Sequence, residues 1–169
     1  MLLTVFSLLC GTAIANECQE AFIKATFSSP QNFETAFRVC SKRAQKGDIE
    51  AMGTTSFLYE HGKGTQKNLQ KSLMWSKKAA ELGHAQSQAN LGLFYVKGEG
   101  GVKQNQDEAI KWFRKAADQG NAAGQYLLGL AYEFGSTSTV KNIDVAKDLY
   151  TKAADQGHEK ARERLQYLQ

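Results

Sequence analysis

The chain has 169 residues, 42% of them hydrophobic, which is enough for one compact domain and too few for two large ones. Its formal net charge is +4. The lysines are spread over equivalent positions of the chain, such as Lys78, Lys115 and Lys152. This distribution favours a solvated outer face over a nucleic-acid footprint, so we expect no nucleic-acid partner.

The first fifteen residues, MLLTVFSLLCGTAIA, carry no charge and end in Ala13, Ile14 and Ala15. This small-x-small ending is typical of the cleavage site of a secretory signal. We therefore predict a cleaved signal peptide over residues 1–15 and a periplasmic or secreted mature protein. The alternatives are a buried first helix and, because of Cys10, a lipidated signal. The apolar run is shorter than the ~20 residues that a membrane-spanning helix needs, so we expect no stable membrane insertion.

Two cysteines, Cys18 and Cys40, remain after such a signal is removed, in a compartment that oxidises thiols. Apolar residues at helical spacing around each cysteine place it on the apolar face of its own predicted helix. An even pair of this kind predicts one disulfide, Cys18–Cys40, and the alternative is two buried free thiols. The sequence has no C-x-x-C motif and no clustered histidines, so we predict neither a metal site nor a cofactor.

Internal repetition is the main feature of the rest of the chain. Gly83, Gly120 and Gly157 are each 37 residues apart, and a fixed period of this length indicates an array of helix pairs. Each repeat contains two predicted helices, which we call helix A and helix B. Helix B follows an asparagine suited to cap it and ends at a glycine suited to a left-handed C-terminal turn. The capping residues are Asn68, Asn105 and Asn142.

Helix A precedes helix B and has Tyr59, Tyr95 and Tyr132 in matching places. Gly92 and Gly129 lie inside helix A, where glycine costs about 0.5 to 1 kcal/mol relative to alanine. We therefore expect a bulky neighbour to pack against their bare backbone. Ser56 stands at the equivalent position of the first copy, which keeps a small side chain.

The pattern L-G-x-x-Y-x-x-G-x-G-V followed by A-x-x-W-x-x-K-A-A-x-x-G resembles the Sel-1-like repeat family, a relative of the tetratricopeptide repeats. In the second copy its residues are Leu91, Gly92, Tyr95, Gly98, Gly100, Val102, Ala109, Trp112, Lys115, Ala116, Ala117 and Gly120. The resemblance implies an all-α fold, an α/α solenoid of stacked antiparallel helix pairs in a right-handed superhelix. It divides the mature chain into a degenerate N-terminal repeat (16–47), repeat 1 (48–83), repeat 2 (84–120), repeat 3 (121–157) and a C-terminal capping helix (158–169).

The sequence holds no recognisable catalytic motif, and we predict that the protein is not an enzyme. It lacks H-E-x-x-H, G-x-S-x-G and S-x-x-K motifs and a phosphate-binding loop. The three histidines are dispersed. His84 and His158 follow the helix-ending glycines, which favours a role at the start of a helix over metal binding, whereas the role of His61 stays open.

In the family that this chain resembles, helix A lines the inner, concave surface of the solenoid. If Ala85, Ala89, Gly92 and Tyr95 face the packing, positions 90, 94 and 97 point away from it. Equivalent positions in the three repeats predict a partner-binding set. Its members are Thr54, Leu58, His61, Asn90, Phe94, Lys97, Leu127, Ala131 and Phe134. The alternative for Leu58, Phe94 and Phe134 is packing against the adjacent repeat.

The resemblance also implies the function, because arrays of this family are largely adaptors. We expect an exported, monomeric scaffold that binds a partner protein through its concave face. One alternative is an immunity protein that neutralises a toxic effector in the periplasm. A remote alternative is penicillin binding with weak β-lactam hydrolysis, as in a cysteine-rich branch of the family, although this chain lacks that branch's one disulfide per repeat.

Overall fold

The computed structural model describes residues 17–27 and 32–168. The predicted signal peptide and the lipidation alternative at Cys10 lie outside these residues. The described part of the chain consists of nine helices and contains no strand. They are α1 (Glu17–Phe27), α2 (Asn32–Gln45), α3 (Ile49–His61), α4 (Leu69–Glu81), α5 (Ala85–Lys97), α6 (Gln106–Asp118), α7 (Ala122–Phe134), α8 (Ile143–Asp155) and α9 (Glu159–Tyr167). None of them is both long and apolar enough to cross a bilayer.

The ends of helix B follow directly from the sequence. The side chains of Asn68, Asn105 and Asn142 each accept a hydrogen bond from a backbone N–H of the first turn of α4, α6 and α8, at 2.9, 3.0 and 3.1 Å. Gly83, Gly120 and Gly157 adopt positive φ after these helices, at 93°, 78° and 87°. Both the predicted caps and the predicted left-handed turns are confirmed.

The helices stack as a solenoid. Each helix packs against the next one along the chain, and short connections make consecutive helices run in opposite directions. Helix A of the three repeats is α3, α5 and α7, and helix B is α4, α6 and α8. Contacts between helices that are not consecutive include those of α5 with α7. The predicted all-α solenoid of stacked helix pairs is confirmed.

A disulfide joins the two helices of the N-terminal pair, and aromatic rings pack this pair against the rest of the stack. Cys18 of α1 and Cys40 of α2 are bonded, and both are fully buried. The ring of Phe22 on α1 packs edge-on against Phe57 of α3, with 5.6 Å between centroids. The predicted disulfide is present, and it joins the two helices at the end of the stack.

The eighth residue of helix A packs against helix B in two different ways in the three repeats. Gly92 and Gly129 lie against the rings of Phe113 and Tyr150 on helix B, as expected from the bare backbone. In repeat 1 the equivalent pair is Ser56 and Ser76. The Ser56 hydroxyl lies 3.1 Å from Ser76 Oγ and 3.0 Å from Ser72 Oγ, so a buried polar cluster replaces the ring.

The last described helix, α9, is held by a buried acid. Glu133 at the end of α7 is 5% exposed, and its carboxylate accepts a hydrogen bond from the Tyr150 hydroxyl at 2.7 Å. The Arg164 guanidinium on α9 donates to the same carboxylate through Nε, at 2.9 Å, and through a second nitrogen. This network joins α7, α8 and α9.

Candidate protein-binding face

Helix A presents one face that its neighbouring helices leave at least partly accessible in the described part of the chain, although Phe57 also contacts Phe22 of α1. It is formed by the same four positions of α3, α5 and α7, and none of these residues is buried. We call this surface the helix-A face. Its members are Glu50, Thr54, Phe57 and His61 in repeat 1, Gln86, Asn90, Leu93 and Lys97 in repeat 2, and Ala123, Leu127, Leu130 and Phe134 in repeat 3.

Apart from Ala131, six of the eight residues predicted from the sequence lie on this face, namely Thr54, His61, Asn90, Lys97, Leu127 and Phe134. The other two do not. Leu58 is completely buried and Phe94 is 4% exposed, so the expectation that they point away from the packing is wrong. Both face the inside of the stack, because helix A contacts helix B on one side and an adjacent repeat on the other. Ala131, at the same position of repeat 3, is half-buried.

Six further residues belong to the face but were missed by the sequence reasoning. Phe57, Leu93 and Leu130 occupy equivalent, half-buried sites along it. Glu50, Gln86 and Ala123 complete it at the first turn of each helix. The spacing of 50, 54, 57 and 61 was the available signal, because i, i+4, i+7 and i+11 define one helical stripe.

The chemistry of the face changes along the stack. Repeat 1 carries a carboxylate, a hydroxyl and an imidazole, whereas all four positions of repeat 3 are apolar. Phe134 is 66% exposed. It borders a groove of about 200 Å³ whose walls include Leu93, Val96, Leu127 and Leu130. A wider groove of about 680 Å³ lies at the polar end, between α3 and α5.

His61 contributes to the wall of the wider groove. Its ring stacks on Phe57, with 4.2 Å between ring centroids. Its Nδ1 lies 3.0 Å from the carbonyl oxygen of Phe57, a geometry in which Nδ1 donates. The imidazole is thereby fixed beside the groove by contacts within its own helix.

His84 and His158 are the N-cap residues of α5 and α9, as predicted. His84 makes no capping hydrogen bond. Its Nδ1 instead lies 2.7 Å from Ser87 Oγ, and its Nε2 lies 3.3 Å from a carboxylate oxygen of Glu50. A serine, a histidine and an acid in this order resemble a hydrolytic triad. However, Ser87 is 1% exposed, so its hydroxyl offers no access to a substrate, and the contacts serve to join repeats 1 and 2.

Within residues 17–27 and 32–168, no three His, Cys, Asp or Glu side chains are grouped so that they could hold a metal ion. The helix-A face offers shape, apolar surface and hydrogen-bonding groups. These are the properties of a surface that recognises another molecule.

The stacked helix pairs and their repeated surface define the chain as an α-solenoid repeat protein. The model of the Sel1 repeat matches residues 50–84, 85–121 and 122–158, which together make up more than half of the chain. The chain belongs to the Sel1 repeat family. Sel1 repeats mediate protein–protein interactions.

Two solved structures are similar to this chain in sequence as well as in fold. A protective antigen of uropathogenic Escherichia coli with an SLR fold is 30% identical, with a TM-score of 0.76, and the match covers 88% of this chain and 32% of that chain. A Sel1 repeat protein from Oxalobacter formigenes is 32% identical, with a TM-score of 0.76, and the match covers 88% of this chain and 57% of that chain. The present chain thus spans about a third and just over half of these two relatives.

The cysteine rich protein B of Helicobacter pylori is similar over nearly its whole length. The match covers 92% of this chain and 98% of that chain, with 23% identity and a TM-score of 0.55. At this identity the likeness concerns the fold alone.

Proposed function

We propose that the protein is an exported interaction scaffold that binds a partner protein through the helix-A face. Membership of the Sel1 repeat family supports protein binding as the class of function. The uncharged N-terminal segment and the buried disulfide support export, because disulfides persist in oxidising compartments.

The observation that carries the proposal is the apolar end of the helix-A face. Leu127, Leu130 and Phe134 expose hydrophobic surface on consecutive turns of α7, and Leu93 of the preceding repeat continues it. Contiguous exposed apolar surface with a polar border is typical of protein-interaction sites. Asn90 and Lys97 provide such a border on α5. A partner side chain placed in the groove would be the central anchor of the complex.

Site-specific photo-crosslinking tests this placement. A photoreactive phenylalanine analogue replaces Leu127 on the helix-A face or, as the matched control, Thr151 on the exposed side of α8. We expect a discrete crosslinked product, in cells that export the protein, from position 127 alone. Equal crosslinking from position 151, or none from position 127, would contradict the proposed face.

Export is tested separately by cell fractionation. The full chain is expected in the periplasmic or secreted fraction, with Asn16 as its first residue by mass spectrometry. A form that lacks residues 1–15 should remain in the cytoplasm. Recovery of both forms from the same compartment would count against the signal peptide. No specific observation favours the immunity-protein alternative, so the proposal stays at protein binding.

A further inference from the structure

The N-terminal repeat carries a cationic cleft on the surface of α2, away from the helix-A face. The cleft has a volume of about 630 Å³ and lies where the start of α1, α2 and the turn to α3 meet. Its basic lining residues are Arg38, Lys42, Arg43 and Lys46, and Val39 contributes apolar surface. Glu17 and Asp48 also reach it.

The acidic residues of the cleft are already engaged by one of its cations. Arg43 Nε donates to Asp48 at 2.8 Å, and another nitrogen of its guanidinium lies 3.8 Å from Glu17. Asp48 additionally accepts from the backbone N–H of Ala51. In the described part of the chain, no carboxylate lies within ion-pairing distance of Arg38, Lys42 or Lys46, and all three are exposed.

A comparison within the chain shows that the cleft is specific to α2. Val39, which lines the cleft, stands where helix B of the later repeats has the larger side chains of Trp75, Trp112 and Leu149. Gln45 stands where helix B of the later repeats has Glu81, Asp118 and Asp155. The N-terminal repeat therefore lacks the acid that follows three residues after the lysine at the position of Lys42. Lys46 replaces Leu82, Gln119 and Gln156. Every repeat has a lysine at the position of Lys42, which the attraction of a cation to the C-terminal end of a helix explains. The same attraction does not explain the changes at Val39, Gln45 and Lys46.

We propose that this cleft binds an acidic protein segment in extended conformation. Arg38 and Lys42 lie four residues apart on α2, about 6 Å along its axis, and Lys46 follows four residues later, directly after the last residue of the helix. Side chains on one side of an extended chain recur every second residue, about 6.6 Å apart. Carboxylates at alternate positions of such a segment therefore match the three cations in charge and in spacing.

The shape of the site favours a protein segment over an anionic membrane. The cleft is recessed, and its apolar floor at Val39 can contact the stem of a side chain. This site is independent of the helix-A face, and its failure would leave the proposed scaffold function unaffected.

Fluorescence anisotropy with the full chain provides the test. The probe is a labelled peptide in which Glu alternates with Ser, and the control probe has Lys in place of Glu. The test variant is Arg38→Gln/Lys42→Gln/Lys46→Gln. The matched control is Lys67→Gln/Lys103→Gln/Lys141→Gln, which removes the same charge from exposed residues that precede helix B, at the opposite edge of the stack.

We expect the alternating Glu peptide to bind the wild type and the control variant alike, and to bind the test variant about tenfold more weakly, the combined effect of three modest ion pairs. Added salt should weaken the binding. An equal loss of peptide affinity in both variants would show that only the net charge matters, and it would overturn the proposal. Binding of the chain to phosphatidylglycerol vesicles through the same three cations, without binding of the peptide, would overturn it in favour of a membrane surface.

Discussion

The ring of Phe113 occupies the space in which any residue other than glycine at position 92 would place its Cβ. A Cβ built at Gly92 would overlap Cε1 of that ring and would stand 3.0 Å from the carbonyl oxygen of Ala109. Tyr150 stands in the same relation to Gly129, 2.6 Å from a Cβ built there. The Gly-ring pair therefore sets the distance between helix A and helix B in repeats 2 and 3.

Replacement of Gly92 by alanine tests this relationship. A helix-interior Gly→Ala change alone would stabilise by up to about 1 kcal/mol. Here overpacking against a 4% exposed ring and a backbone carbonyl should outweigh that gain and lower the free energy of unfolding by about 2 kcal/mol. Urea denaturation measures the difference. The cost should shrink when the same change is made in a Phe113→Leu background, and a stabilised Gly92→Ala variant would refute the packing argument.

The disulfide should contribute to stability by constraining the unfolded chain. Cys18 and Cys40 are 22 residues apart, a loop for which the chain-entropy model gives about 3 kcal/mol. We expect Cys18→Ser/Cys40→Ser, or the wild type in reductant, to melt at a lower temperature. Reductant should leave the double serine variant unchanged, which also controls for Cys10. An unchanged melting curve of the reduced wild type would speak for the free-thiol alternative.

The buried carboxylate of Glu133 predicts a specific pH dependence. Burial alone would raise the pKa of Glu133, but hydrogen bonds from Arg164 and Tyr150 and the charge of Arg164 outweigh it and hold that pKa below 4.5. A carboxyl whose pKa is lower in the folded state stabilises above its unfolded pKa, and this stabilisation is lost as pH falls through the folded pKa.

We therefore expect Glu133→Gln to cost about 2 kcal/mol at neutral pH, and less once the pH is low enough to protonate the wild-type carboxyl. Denaturation at several pH values measures the difference between the two proteins. Glu159→Gln removes the exposed pair with Arg162 and should change stability by less than about 0.5 kcal/mol. A pH-independent cost of Glu133→Gln would show that the ionised carboxylate is not what matters.

Leu58 is buried and Phe134 is exposed, so we expect their replacement by alanine to have different effects on stability. Leu58→Ala empties a fully buried site and should cost about 2 to 5 kcal/mol. Phe134→Ala removes a side chain that is 66% exposed, so it should change the free energy of unfolding by less than about 1 kcal/mol. The same Phe134→Ala change should weaken the photo-crosslink from position 127. A large loss of stability in Phe134→Ala would assign this residue to packing instead.

Local chemistry explains what the sequence predicted well. Each helix B starts where an asparagine side chain accepts from the backbone amide three residues later, at Asn68, Asn105 and Asn142. Each left-handed turn depends on a single glycine, at Gly83, Gly120 or Gly157. The 37-residue period then predicts the stack, because each repeat can bury its apolar sides only against its neighbours. The cysteine pairing was accessible because each thiol lies on the apolar side of its helix.

The register of the helix-A face was harder to predict. At 100° per residue, the observed stripe of positions 50, 54, 57 and 61 is rotated by about 40° from the predicted one. The reason is that helix A is covered by helix B and by two neighbouring repeats, so its buried arc is wide and takes in Leu58 and Phe94. Contacts between repeats determine where this buried arc ends, so the boundary cannot be predicted from the residue pattern of a single helix.

The salt bridge between Glu133 and Arg164 makes the order of the repeats matter. Val96 stands at the equivalent of Glu133 in repeat 2, and Leu127 stands at the equivalent of Arg164 in α7. In a shuffled protein in which repeat 3 preceded repeat 2, Asn90 of α5 would stand at the equivalent of Arg164, so the buried carboxylate of Glu133 would lose its cationic partner. The three copies therefore share a backbone plan but are not interchangeable modules, and an engineered array must keep repeat 3 next to α9.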